Sequence, residues 1–173
     1  MLSFFKKVRK SSRPQCAALV AAAGSSSRMG GVNKLLEPLD GVPVLARTLM
    51  ALQQAQQIDE IVVATREEDL MEISGLCRTY GITKCTKVIR GGETRAHSVL
   101  LAAMEASADV KLLAVQDGAR PLVTPELIER VIDAAKRCGA AAPAIPVKDT
   151  IKAVRDRRPS RWPCSASGKC GPG

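Results

Sequence analysis

Short apolar runs alternate with longer segments of helical periodicity along most of this chain, and this alternation constrains its fold more than any other feature. Residues 16–22, 60–65 (EIVVAT), 86–90 (TKVIR) and 111–116 (KLLAVQ) read as buried strands. Helical spacing predicts helices over 43–56, 67–79 and 94–106. A fourth begins at Thr124-Pro125, a cap followed by a first-turn proline, and stops at Cys138-Gly139. Residues 140–147 (AAAPAIPV) read as a strand whose two prolines assign it to an edge or a bend. Strand-helix alternation at this spacing implies a mostly parallel sheet with right-handed crossovers and helices on both faces. A length of 173 residues fits one such α/β domain with a real core.

Composition narrows the chemistry. Aromatic residues make up only 2% of the chain, so Ala, Val, Leu and Ile must build the core. With one Trp, one Tyr and two Phe there is almost nothing for a base-stacking platform. The net charge of +9 is confined to the ends: residues 1–14 carry +5, residues 148–173 carry +5, and residues 15–147 sum to −1. Basicity in the tails does not make a folded nucleic-acid-reading surface, so no nucleic-acid partner is expected. No stretch approaches the length of a transmembrane helix, and no membrane association is expected. The six cysteines form no C-x-x-C pair and have no partner histidines, which argues against zinc. Cys16 and Cys138 flank apolar runs and read as buried thiols in a reducing, cytoplasmic setting. The acid-free residues 1–14 read as a disordered basic tail, with a targeting remnant as the alternative.

The first strand ends in an unusual loop. After Ala22-Ala23-Gly24 come Ser25-Ser26-Ser27, Arg28, Met29, two glycines and Lys34, with no acidic residue. Small residues allow close backbone approach, and successive N–H groups together with two cations suit a triphosphate. The loop is neither a P-loop nor a G-x-G-x-x-G fingerprint. Its bland alternative is a strand-to-helix turn with solvated cations. Two further strand ends carry unusual residues, Gly91 to Ser98 and Asp117 to Pro121. Ligands of open parallel sheets bind at such carboxyl ends.

Four segments in this order, AAAGSSSRMG with Lys34, GGETRAHSV (91–99), QDGARP (116–121) and PVKDTIK (146–152), resemble the 2-C-methyl-D-erythritol 4-phosphate cytidylyltransferase family. The first segment is shared by many nucleotidyltransferases, and the last two are the more specific. The resemblance covers about residues 15–154. It implies a three-layer, Rossmann-like fold of the nucleotide-diphospho-sugar transferase type, incomplete at the C-terminus. It also implies transfer of CMP from CTP to a sugar-alcohol phosphate in non-mevalonate isoprenoid synthesis, with Mg2+ and a homodimer in the intact family. Carried over residue by residue, Arg28 and Lys34 are catalytic and contact the triphosphate. Ala22, Ala23, Gly24, Ser25, Gly91, Gly92, Glu93, Arg95 and Ser98 bind the nucleotide, Ser98 at the base. Asp117 holds the metal, and Arg120 and Thr150 bind the acceptor phosphate, Thr150 across the dimer interface.

Each assignment has a structural alternative. The alternative for Asp117 is a turn or helix-capping residue, for Arg120 a rim charge or a partner of Asp117, for Ser98 a local hydrogen-bonder and for Thr150 a strand residue. His97, the single histidine, takes no role from the family, and Asp149 reads as turn or ligand. Residues 155–173 (RDRRPSRWPCSASGKCGPG) lose all periodicity, which predicts a disordered, non-family tail of the kind a truncation or frameshift produces. That reading leaves an inactive CTP-binding remnant as one alternative function; a second is a related cytidylyltransferase of the same fold acting on ribitol 5-phosphate.

Overall fold

The structure is a computed structural model that describes residues 15–24 and 33–148, with the backbone of 154–155 and 158–159. It divides after Ala141. The first unit is built on four parallel strands. These are β1 (Gln15–Ala22), β4 (Glu60–Thr65), β5 (Cys85–Arg90) and β6 (Val110–Asp117), in the order β5-β4-β1-β6. A two-residue hairpin, β2 (Pro38–Leu39) and β3 (Val42–Pro43), stands apart from the sheet. Its Asp40-Gly41 turn has positive φ at both residues, which favours this dipeptide in hairpins. In the second unit, residues 142–148 are exposed and irregular, and β7 (Val154–Arg155) pairs antiparallel with β8 (Arg158–Pro159).

Four helices cover the sheet: α1 (Val44–Gln54), α2 (Leu70–Thr79), α3 (Arg95–Glu105) and α4 (Pro125–Cys138). A single 3-10 turn, Glu67–Asp69, leads into α2. Leu45, Leu49 and Leu52 of α1, Ile73 and Leu76 of α2, and Ile128 and Ile132 of α4 bury against Cys16, Ala18, Val20, Ile61 and Val63. The opposite face is thinner, with Ala102 of α3 packed on Ala17, Leu19, Val62 and Ala64. Alternate residues of β1 and β4 feed the two cores, as strands between two helix layers must. The cap expected at Thr124 and the stop expected at Gly139 are present, and Thr94, expected as the first residue of its helix, caps α3 instead. The Thr94 hydroxyl accepts from His97 N at 3.1 Å, the Thr124 hydroxyl accepts from Leu127 N at 3.3 Å, and Gly139 ends α4 with φ 85°.

The structure corrects three expectations. Residues 140–147 form no strand, since two prolines and a run of alanines supply few ladder donors and little to bury. β6 is buried on one face only: Leu113 and Val115 are 51% and 46% exposed, because β6 is the edge of the described sheet and α3 lies over β1 and β4. Cys138 is exposed at the end of α4, whereas Cys16 is buried as expected, and the four described cysteines are free thiols.

Glu60 is the buried carboxylate at the start of β4. It accepts from the Thr86 hydroxyl at 2.8 Å and from Ser107 N at 3.0 Å. Burial pushes its carboxyl up, but hydrogen bonds from Ser107 and Thr86 and the charge of Lys87 outweigh this, leaving it below the ordinary carboxylate value. A depressed folded-state pKa contributes stability that is complete above the unfolded value and is lost as pH falls through the folded one. Urea unfolding as a function of pH is therefore expected to show acid destabilisation that is shallower in Glu60→Gln than in the parent chain.

Candidate functional site

The chain steps from β1 to β4 to β5 on one side, and α3 then carries it back across to β6 on the other side of β1. The strand order therefore reverses between β1 and β6, and a crevice opens outside their carboxyl ends. Ala21 pairs with Ala64 on one side and Asp117 on the other, so three strands end in one plane. Gly118 N donates to Ala21 O at 2.9 Å, and the buried Thr48 hydroxyl of α1 donates to Gly118 O at 2.8 Å. A Cβ on Gly118 would lie 3.1 Å from Leu45 and 3.3 Å from Ala21 O, so a small residue suits this turn.

A cavity of about 710 Å³ occupies the crevice. Ala22, Ala23, Gly24, Lys34, Gly92, Glu93, Arg95, Ser98, Asp117 and Arg120 all line it, joined by Leu35, Thr94 and Ala119. Three chain segments far apart in sequence thus meet in one place. Gly91 lies against the same wall, where its N–H donates to Thr65 O at 2.7 Å. Arg28, Ser25 and Thr150 lie outside the described residues, as does Asp149.

Local geometry explains the glycine pair before α3. A Cβ on Gly91 would sit 2.5 Å from the Ala23 Cβ and 2.8 Å from the Ser98 hydroxyl, and one on Gly92 would overlap the His97 ring. Ser98 is 2% exposed; its hydroxyl accepts from Gly92 N at 3.0 Å and lies 3.0 Å from Thr94 O. Ser98 thus folds the loop back onto α3, as the local hydrogen-bonding alternative anticipates.

Asp117 has two cations beside it. Arg95 Nε donates to Oδ1 at 2.8 Å, and Arg120 Nε lies 3.7 Å from Oδ2. All three side chains are well exposed, so these pairs contribute little to stability and an incoming charged ligand can displace them. Together with the exposed Lys34 they make the mouth of the cavity rich in positive charge, with Glu93 and Asp117 as its acidic members. Among the described residues no three His, Cys, Asp or Glu side chains form a metal cluster. A hard divalent cation that takes one carboxylate and completes its shell with water and phosphate oxygens fits Asp117.

Sequence reasoning missed the residues beneath Lys34. Asn33 Nδ2 donates to Asp69 Oδ2 at 2.9 Å, and Arg66 pairs with the same carboxylate. An Asn immediately before the loop lysine was the only available signal, and nothing in the sequence ties it to position 69. Among the described residues no helix is long and apolar enough to cross a membrane.

Sheet order, switch-point crevice and a cationic mouth over small strand-end residues define a doubly wound α/β domain with a site suited to an anionic ligand. The chain belongs to the 2-C-methyl-D-erythritol 4-phosphate cytidylyltransferase (IspD) family, whose model matches residues 16–159. It is 41% identical over 137 residues to that cytidylyltransferase of Dehalococcoides mccartyi, covering 79% of this chain and 60% of the relative. It is 46% identical over 138 residues to a bifunctional IspD/IspF enzyme of Desulforudis audaxviator, covering 78% and 34%. The crystal structure of the 4-diphosphocytidyl-2C-methyl-D-erythritol synthase of Anaerococcus prevotii superposes with a TM-score of 0.68 at 26% identity, over 83% of this chain and 61% of that one. The chain thus spans about 60% of the length of the monofunctional relative it matches.

The close approaches at the glycines yield a contrast. Gly91→Ala meets the short, immobile Ala23 side chain and is expected to destabilise the chain by about 1–3 kcal/mol, the usual range for overpacking. Gly92→Ala meets the His97 Cβ at 2.7 Å as well as the ring, and no ring rotation clears that Cβ, so it should cost a similar amount; adding His97→Ala, which removes the ring and keeps the Cβ, should recover only part of this loss and none of the loss at Gly91. Urea denaturation of these variants measures this directly.

Proposed function

We propose that this chain transfers CMP from CTP to 2-C-methyl-D-erythritol 4-phosphate, giving 4-diphosphocytidyl-2-C-methyl-D-erythritol and pyrophosphate. The observation that carries this reading is the meeting of three of the family's four motif segments around one cavity at the switch point. The nucleophile is a phosphate monoester whose second pKa is about 6, so at neutral pH it already carries its attacking charge. No general base is required, and the side chains at the cavity suit a different task. One anion must approach another, and catalysis consists of positioning the two phosphates and neutralising charge at the α-phosphate.

In this reading Lys34 and Arg28 contact the triphosphate and stabilise the crowded transition state. The backbone of Ala22, Ala23, Gly24 and Ser25 borders the nucleotide, and Gly91, Gly92, Glu93, Arg95 and Ser98 form the wall on the base side. Asp117 would hold Mg2+, which supplies charge neutralisation on the phosphate oxygens. Arg120 and Thr150 take the acceptor phosphate. Residues 15–154 form the catalytic domain, with residues 1–14 and 155–173 outside it. A homodimer in the cytoplasm is the setting this reading implies.

Pyrophosphate release from CTP, Mg2+ and methylerythritol phosphate, measured on the full chain, tests the proposal, with ribitol 5-phosphate as competing acceptor. Release is expected with methylerythritol phosphate preferred, and Asp117→Asn should abolish it. Preference for ribitol phosphate would move the chain to the related cytidylyltransferase, and Mg–CTP binding without release would make it a nucleotide-binding remnant. Lys34→Ala should cost roughly 2.7–4 kcal/mol of transition-state stabilisation, the range for losing one preorganised donor. Turnover of Lys34→Ala within threefold of the parent would remove its assigned role.

A further inference from the structure

A part-buried cluster of polar and charged side chains, Asn33, Arg66 and Asp69, adjoins the turn that carries Lys34. Asp69 is only 5% exposed, and both of its carboxylate oxygens are engaged. Arg66 Nε donates to Oδ2 at 2.7 Å and Arg66 Nη2 donates to Oδ1 at 3.1 Å, the two-pronged geometry that guanidinium and carboxylate favour. Oδ2 also accepts from Asn33 Nδ2, across 36 residues of chain. Arg66 is itself steadied by Glu68 at 3.0 Å.

Asp69 stands at the N-cap of α2, where an Asp ordinarily turns its carboxylate onto the helix N–H groups. Here it makes no side-chain cap bond and is given over to Arg66 and Asn33 instead. A half-buried ion pair is a weak way to gain stability, since a packed apolar group of similar size does as well or better. Its use here points to geometry that must be specified.

What it specifies is the position of residue 33. Asn33 Oδ1 accepts from Leu35 N at 3.2 Å, and Asn33 O accepts from Leu36 N at 2.9 Å, closing a tight turn with Lys34 at its head. On the other side of Lys34, Leu35 is buried and its carbonyl accepts from Leu45 N at 2.9 Å. Lys34 is exposed at the cavity between two anchored neighbours. We infer that Asn33, Arg66 and Asp69 are positioning residues: through the Asn33 turn they hold Lys34 toward the triphosphate of the bound nucleotide. The inference rests on the triphosphate role proposed for Lys34. The unit has a second reach. It follows directly on Thr65, whose carbonyl fastens Gly91, so the carboxyl end of β4 ties the phosphate side of the cavity to the base side.

The test compares two ligands on the full chain by titration calorimetry: Mg–CTP, which engages Lys34 through its terminal phosphates, and CMP, which lacks them. Asn33→Ala and Asp69→Ala are expected to weaken Mg–CTP about tenfold, as Lys34→Ala does, while CMP stays within twofold; loss of a hydrogen bond to a charged group has this size. A general structural role would weaken both ligands together. Equal losses for Mg–CTP and CMP, or no loss in variants whose circular dichroism is native, would overturn the inference. Asn33→Ala leaves the Arg66–Asp69 pair whole and carries the test if Asp69→Ala does not fold. A parent chain that binds CMP but gains nothing from the extra phosphates of CTP would instead remove the proposed role of Lys34, and this inference with it.

Discussion

The placement of β1 between β4 and β6, in parallel and in register, is the constraint on which the site depends. Ala21 has Ala64 on one side and Asp117 on the other, so the ends of three strands come level. Both faces of β1 are covered, which is why it is built almost entirely from small and branched apolar residues that pack without strain. A shift of one residue would turn its two cores inside out and move Asp117 away from the crevice. Gly118 and Thr48 hold this register from the side, one by close approach and the other by a buried hydrogen bond.

Charge is arranged around that frame in two tiers. The outer tier, Arg95, Arg120, Lys34 and Asp117, is exposed, contributes little to folding and is therefore free to exchange partners with a ligand. The inner tier, Arg66 and Asp69 with Asn33, is half-buried and hydrogen-bonded together, so it behaves as part of the scaffold. A site that handles phosphates benefits from this division, because mobile cations on fixed supports neutralise charge without losing position.

The two faces of the sheet differ in depth. Three helices bury one face, whereas α3 alone covers the other, leaving Leu113 and Val115 of β6 partly in water. The site lies at the carboxyl ends of the strands rather than on either face, so its geometry is set by the better-packed β1–β4 centre.

Much of the fold was legible in the sequence because it is written in local periodicity. The four strands of the sheet, the four helices and the cap at Thr124 depend on neighbours within a few residues, and each stands within a residue or two of expectation except the start of α2, where Glu67–Asp69 form a 3-10 turn. The failures share one cause. Leu113 and Val115 read as buried because an apolar run does not say whether a helix lies over it, and 140–147 read as a strand because composition does not guarantee a pairing partner. The cavity was legible as three unusual strand ends, since a parallel sheet brings such ends together. By itself the sequence determined the class of fold, the motif segments and the residue types offered to the site. Only the tertiary structure decided which of them meet: Arg95 with Asp117 across 22 residues and Asn33 with Asp69 across 36 are contacts between separate elements, set by sheet order and register rather than by any local preference.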